Sequence, residues 1–387
     1  MGRCLAFVVI LAVSSVADAD PIRFAPVPDE LKNSWPVEWE KDFQARAERV
    51  LKSICTKHKA AGGGNTYFEN EKRVYGYLMA HALAGDRDAA IKELQYEDAQ
   101  AREWHSLTSG IDYYACFTLK HQMRKYFLFG DKLAPAYKQR MFEGARAWTE
   151  KDPLRRPHPA FVKAGEGWGP NVKNSWVDVR STENLFLMRV TSVYLMAEET
   201  GNEETRKKYK ETILKYAAAL YRVGMGEWDS ENYHGHSIAP LLNLFDFARD
   251  KDVKAAAKAC LDYVCAIGAV KYYRGAFNGP TNRDYNHPQP FGGSAPCLLW
   301  LYFGDTPLDN TAYESDEVHI LSSGYRPPMA VVELARKNFD RPTELFASKP
   351  AYSATTPTEL FASKPAYSAT TGNDLRSPPE YFETQYF

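Results

Sequence analysis

Residues 181–224 read STENLFLMRVTSVYLMAEETG followed by NEETRKKYKETILKYAAALYRVG, and this stretch decides the fold. Ser181-Thr182-Glu183 has the hydroxyl-then-carboxylate order of a helix start. Behind it Leu185, Met188, Val193 and Met196 recur at roughly helical spacing, and Gly201 ends the run. Glu203 to Val223 is the partner helix, with Ile213, Tyr216, Ala217 and Leu220 on one face and Gly224 as its stop. Two amphipathic helices joined by a glycine turn form a hairpin whose apolar stripes need further helices to cover them.

The same pattern continues on both sides. Upstream, Phe43 to His58 is amphipathic, Tyr75 to Ala84 and Arg87 to Leu94 flank Gly85-Asp86, Ile111 to Phe129 is long and aromatic, and Ala134 to Thr149 follows. Downstream, Ala239 to Arg249 and Val253 to Val270 make another pair, and Val331 to Lys337 is one more short helix. Alternating strand patterns are few before Tyr302. The expected class is all-α: an α/α toroid, an incomplete barrel of helical hairpins with loops converging on a central cleft, over residues 20–340. An open helical solenoid is the alternative architecture.

Both ends differ from this body. Arg3, the apolar stretch Leu5 to Val13 and Ala17-Asp18-Ala19 form a secretory signal over residues 1–19, so a secreted or periplasmic protein is expected. The apolar stretch is too short for a retained membrane span. At the other end PTELFASKPAYSATT, Pro342 to Thr356, repeats without change as Pro357 to Thr371. A repeat that short reads as a recent duplication in an irregular tail, 341–387, outside the core, with a strand-pairing or surface-binding repeat as the alternative. Cys55, Cys116, Cys260, Cys265 and Cys297 show neither a CxxC pair nor zinc spacing, so most are read as small buried hydrophobes. A formal net charge of −1 gives no reason to expect nucleic acid or a membrane surface as partner.

Candidate chemistry sits in segments read as loops between helices. One runs from Glu227-Trp228-Asp229 to Tyr233-His234-Gly235-His236, and another from Asn278 through Asn282-Arg283-Asp284-Tyr285 to His287. In a third, Trp168, Asn174 and Trp176 combine flat rings with amides, as a sugar-stacking wall does. Arg283 can bind a carboxylate with two parallel hydrogen bonds, and its charge makes Tyr285 easier to deprotonate. A histidine can act as base or steady developing negative charge, and in an extended loop His234 and His236 point to opposite sides, so one of the two, either His234 or His236, faces the cleft. Glu183, at a helix start, could hold such a group or hydrogen-bond a substrate carboxylate. No third ligand has zinc spacing with the His-x-His pair, and no cofactor motif is present.

On Ser181-Thr182-Glu183-Asn184, Glu227-Trp228-Asp229 with Tyr233-His234-Gly235-His236, and Thr281-Asn282-Arg283-Asp284-Tyr285, the chain resembles polysaccharide lyase family 38, whose members act on alginate or glucuronan-like polymers. The resemblance implies β-elimination on an anionic polysaccharide, with Tyr285 as acid and base and Arg283, His234 and Glu183 around the uronate carboxylate. Trp168, Asn174, Trp176, Trp228, Tyr233, His236 and Asn282 would then bind substrate. Two alternatives stand beside it: a glycoside hydrolase using carboxylates drawn from Glu183, Glu227, Asp229 and Glu231, or a glycan-binding protein without activity.

Overall fold

The computed structural model describes residues 27–60, 71–95, 107–108, 111–112, 116–150, 183–225, 230, 233–277, 294–306, 315–340, 344–349 and 381–386. Among these the chain is all-α: 77% of the residues are in helices and strands are almost absent. The helices, in order, are α1 Val37–Lys57, α2 Glu71–Ala84, α3 Arg87–Glu93, α4 Cys116–Phe129, α5 Pro135–Thr149, α6 Glu183–Thr200 and α7 Glu203–Val223. They continue with α8 Tyr233–Phe247, α9 Lys251–Lys271, α10 Ser294–Phe303, α11 Glu317–Leu321 and α12 Met329–Arg336.

Packing follows the hydrophobic pattern of each helix. α6 is buried on every side from Glu183 to Ala197, whereas α7 hides only a stripe that includes Ile213, Tyr216 and Leu220. A helix apolar all round belongs inside, and a striped one outside. Accordingly α2 packs on α4, α4 on α6, α6 on α8 and α8 on α10, while α5 and α7 lie on α6, and α9 lies on both α7 and α8. One cluster of buried side chains runs from Phe43 through to Ala335.

Local signals set the helix ends. Gly201 and Gly224 take positive φ, 75° and 77°, at the turn after α6 and the end of α7. The Asp250 carboxylate caps α9 by accepting from the backbone N–H groups of Asp252 and Val253. It also accepts from Lys210 Nζ at 2.7 Å, which ties α7 to the start of α9.

Several boundaries differ from the sequence reading. Ile111–Asp112 is a strand paired with Leu107–Thr108, so the aromatic helix starts only at Cys116. The segment read as an extended loop around the two histidines is the first turn of α8, which begins at Tyr233. α10 and α11 went unread. In the tail, Glu344–Lys349 pairs antiparallel with Tyr381–Tyr386. The signal segment 1–19 and the second repeat copy lie outside the described residues. No described helix is long and apolar enough to cross a membrane. Cys260, Cys265 and Cys297 are buried and Cys55 is half-buried.

Candidate functional site

The site grows from two helices that carry charge in their buried faces. α4 places Lys120, His121 and Arg124 inside the protein, each no more than 1% exposed. An ammonium or guanidinium there needs a buried partner, because charge is costly away from water. Arg124 finds Asp246 at the end of α8, with Nη2 to Oδ2 at 2.7 Å, and also donates from Nε to Asn243 Oδ1 at 2.9 Å. Lys120 finds Asp316, just before α11. Gly76 on α2 makes the approach of that segment possible, since a Cβ there would collide with the carbonyl and Cβ of Ser315.

Asp316 is the hub. Its Oδ1 receives Lys120 Nζ, with His121 Nε2 at 3.6 Å, and its Oδ2 lies 2.6 Å from His236 Nδ1. Burial alone would raise its pKa. Lys120, His236 and His121 outweigh that and hold the carboxyl well below the usual carboxylate range. His319, one turn further on, packs its ring 5.1 Å from that of His121. Burial, with the Arg124 charge adding to it, drives His319 down to about 3, so it is neutral. His236 is the member of this cluster with solvent access, at 12% of its side chain, and the Tyr233 ring lies 6.1 Å away.

His121, Asp316 and His319 also bring one potential metal-ligand atom each within 4.8 Å of one another. The Lys120 ammonium already meets Asp316 Oδ1, and its charge opposes a second cation at that oxygen. The arrangement is therefore suited to proton handling more than to metal coordination.

Of the residues picked out in the sequence, the structure describes Glu183, Tyr233, His234 and His236. Glu183 opens α6, is 1% exposed and accepts a hydrogen bond from Tyr216 Oη at 2.8 Å. His234 is fully buried, with Nε2 2.9 Å from the Val264 carbonyl and its ring edge-on to Phe277. Burial lowers its pKa to about 4. Of the two histidines, His236 is the one that solvent reaches, whereas His234 has Nε2 engaged by the backbone of α9 and Nδ1 buried without a hydrogen-bond partner among the described residues. Positions two apart on a helix differ by about 200° around the axis, which is why the two rings part company. Gly235 between them lets α8 press against α10, where a Cβ would strike Ser294 and the Ala295 nitrogen.

Trp168, Asn174, Trp176, Trp228, Asn282, Arg283 and Tyr285 lie outside the described residues, as do Glu227, Asp229 and Glu231. Lys120, His121, Asp316 and His319 were missed in the sequence. The available signal was Lys120-His121 in the middle of an otherwise aromatic helix pattern. Comparison of the chain with protein-family models, with curated proteins and with solved structures finds no match.

Proposed function

We propose that this protein is a secreted polysaccharide lyase of the α/α-toroid type that cleaves a uronic-acid polymer, of the alginate or glucuronan kind, by β-elimination. The observation that carries it is the contact of His236 with Asp316 and Lys120: a partly exposed imidazole backed by a buried carboxylate and ammonium. Elimination from an acidic sugar needs a positioned group near the ring, and His236 is the member of this cluster that solvent reaches. The succession of α2, α4, α6, α8 and α10 as neighbours, with other helices laid outside them, supports the toroid. The terminal segment 1–19 supports export.

In this reading Arg283 binds the uronate carboxylate, which acidifies the proton on the adjacent ring carbon. Tyr285, deprotonated beside Arg283, takes that proton. The electron pair forms the new carbon–carbon double bond, the glycosidic carbon–oxygen bond breaks, and Tyr285 returns the proton to the leaving oxygen. His236 takes the place of His234 beside the sugar ring. Glu183, sealed inside and engaged by Tyr216, acts by holding the wall of the cleft.

The test is near-ultraviolet absorbance of the unsaturated product while mature protein is incubated separately with alginate, polymannuronate, polyguluronate and glucuronan. A rise on one polymer that vanishes in Tyr285→Phe is expected. New reducing ends without that absorbance would replace elimination by hydrolysis, and binding without either product would leave only a glycan-binding protein.

A further inference from the structure

We propose that Asp316, itself fixed by Lys120, is the positioning residue of the site: it holds the His236 proton on Nδ1, so that Nε2 is the proton-accepting atom of the neutral ring. A carboxylate oxygen and an imidazole nitrogen 2.6 Å apart must share a proton, since two lone pairs at that separation repel. Asp316 does not supply that proton, because Lys120 Nζ on its other oxygen keeps it ionised. The proton therefore belongs to His236 Nδ1. Lys120 Nζ also lies 3.3 Å from this nitrogen, but the longer contact cannot be a second hydrogen bond to an atom already donating to Asp316. His121 Nε2, 3.6 Å from the same carboxylate, is too far to replace either partner.

The arrangement is asymmetric in a useful way. Lys120 and Asp316 are each 1% exposed, whereas solvent reaches 12% of the His236 side chain. The pair acts through His236 alone. This rests on the lyase reading for what Nε2 then does to a sugar, and on nothing beyond the cluster for the tautomer itself.

Two-dimensional 15N spectra of the imidazole groups in the full mature chain, held alkaline enough to keep His236 neutral, decide the matter. The His236 signal, assigned by its loss in His236→Gln, is expected to show a protonated Nδ1 and a bare Nε2. In Asp316→Asn, Lys120 takes the amide oxygen and turns the amide NH2 toward His236, so the Nε2-protonated form is expected instead. Lys120→Met combined with Asp316→Leu removes both charges together, a replacement that a buried pair tolerates well, and is expected to show the same change if the single variant does not fold. An Nε2-protonated ring in the unaltered protein, or an unchanged Nδ1-protonated ring in the variants, would overturn the inference. On a polymer that reacts, Asp316→Asn is expected to lower kcat by about tenfold or more with little change in KM, as loss of a tautomer-fixing carboxylate does. If Tyr285→Phe abolishes elimination while Asp316→Asn keeps full kcat, the positioning role fails and the lyase stands. If no polymer reacts, the lyase reading fails while the spectra still decide the tautomer.

Discussion

Arg124 on α4 and Asp246 at the end of α8 form an ion pair at 2.7 Å with neither side chain more than 1% exposed. Asp246 accepts further from Ser323 Oγ and the Gly324 N–H, so the pair also pins the segment after α11. Burial pulls both groups toward neutrality, lowering Arg124 and raising Asp246, and their mutual attraction opposes that. Arg124→Met alone leaves a buried carboxylate uncompensated and is expected to cost about 3–5 kcal/mol in urea unfolding. Arg124→Met with Asp246→Leu is expected to recover most of that loss. A single variant as stable as the unaltered protein would show that the pair is not the lock it looks to be.

Gly76→Ala sets a Cβ against the Ser315 backbone, where no side-chain rotation can relieve the clash. We expect a loss of about 1–3 kcal/mol, the usual result of overpacking. Because Ser315 precedes Asp316, the variant is also expected to disturb the His236 imidazole signal, while Gly85→Ala, whose Cβ would meet nothing within 4 Å, leaves that signal unchanged.

His234 and His319 are held neutral in the folded protein, with pKa values lowered from 6.5 to about 4 and about 3. Below pH 6.5 the unfolded chain takes up protons that the folded chain refuses. Their contribution is thus fully present above the unfolded pKa and is lost as pH falls toward the folded values. Between about pH 6 and 4 stability is expected to fall by roughly 1.4 kcal/mol per pH unit for each histidine. Urea midpoints across that range check the slope, and His234→Leu is expected to reduce it by about half of the two-histidine total. A slope unchanged in His234→Leu would deny the buried neutral state.

The two neighbouring histidines are expected to fail differently. His236→Gln is expected to lower elimination by about tenfold or more with little change in unfolding midpoint, because the partly exposed ring stands at the sugar in the proposed site. His234→Gln is expected to act chiefly on stability, because its ring fills core space between Val264 and Phe277. Product absorbance and urea unfolding of both variants, measured side by side, separate the two; the reverse pattern would return the role to His234.

In the tail, the strands Glu344–Lys349 and Tyr381–Tyr386 pair with each other. Truncation after Asp340 is expected to leave the thermal midpoint of the helical body within about 2 °C, a shift corresponding to under about 1 kcal/mol. A larger drop would mean that the hairpin props the helices.

Where the sequence was legible, periodicity explains it. α6 and α7 carry apolar residues at helical spacing between two glycine stops, and their observed ends, Glu183–Thr200 and Glu203–Val223, fall on those signals. The first turn of α8 was hidden because Gly235 and Pro240 both speak against a helix. Gly235 serves interhelical contact with Ser294, and Pro240 lies inside the helix. α10 was missed for the opposite reason: from Ser294 to Phe303 every residue is buried, so the segment has no polar face to mark a period. The cluster around Asp316 was out of reach. Its members lie on α4, α8 and the start of α11, and only folding brings them together.

α4 carries Lys120 to Asp316, Arg124 to Asp246, and Lys125 to the Leu94 carbonyl and Tyr137 hydroxyl, within six consecutive positions. Each cation is tied to a different stretch of chain, so none can drift alone in a lineage without stranding its counterpart. Substitutions here are therefore expected in matched sets: a homologue lacking Arg124 should lack Asp246, and one lacking Lys120 should have altered Asp316. Such paired changes, sought across a future alignment, would trace the history of this helix more plainly than the identity of any single position.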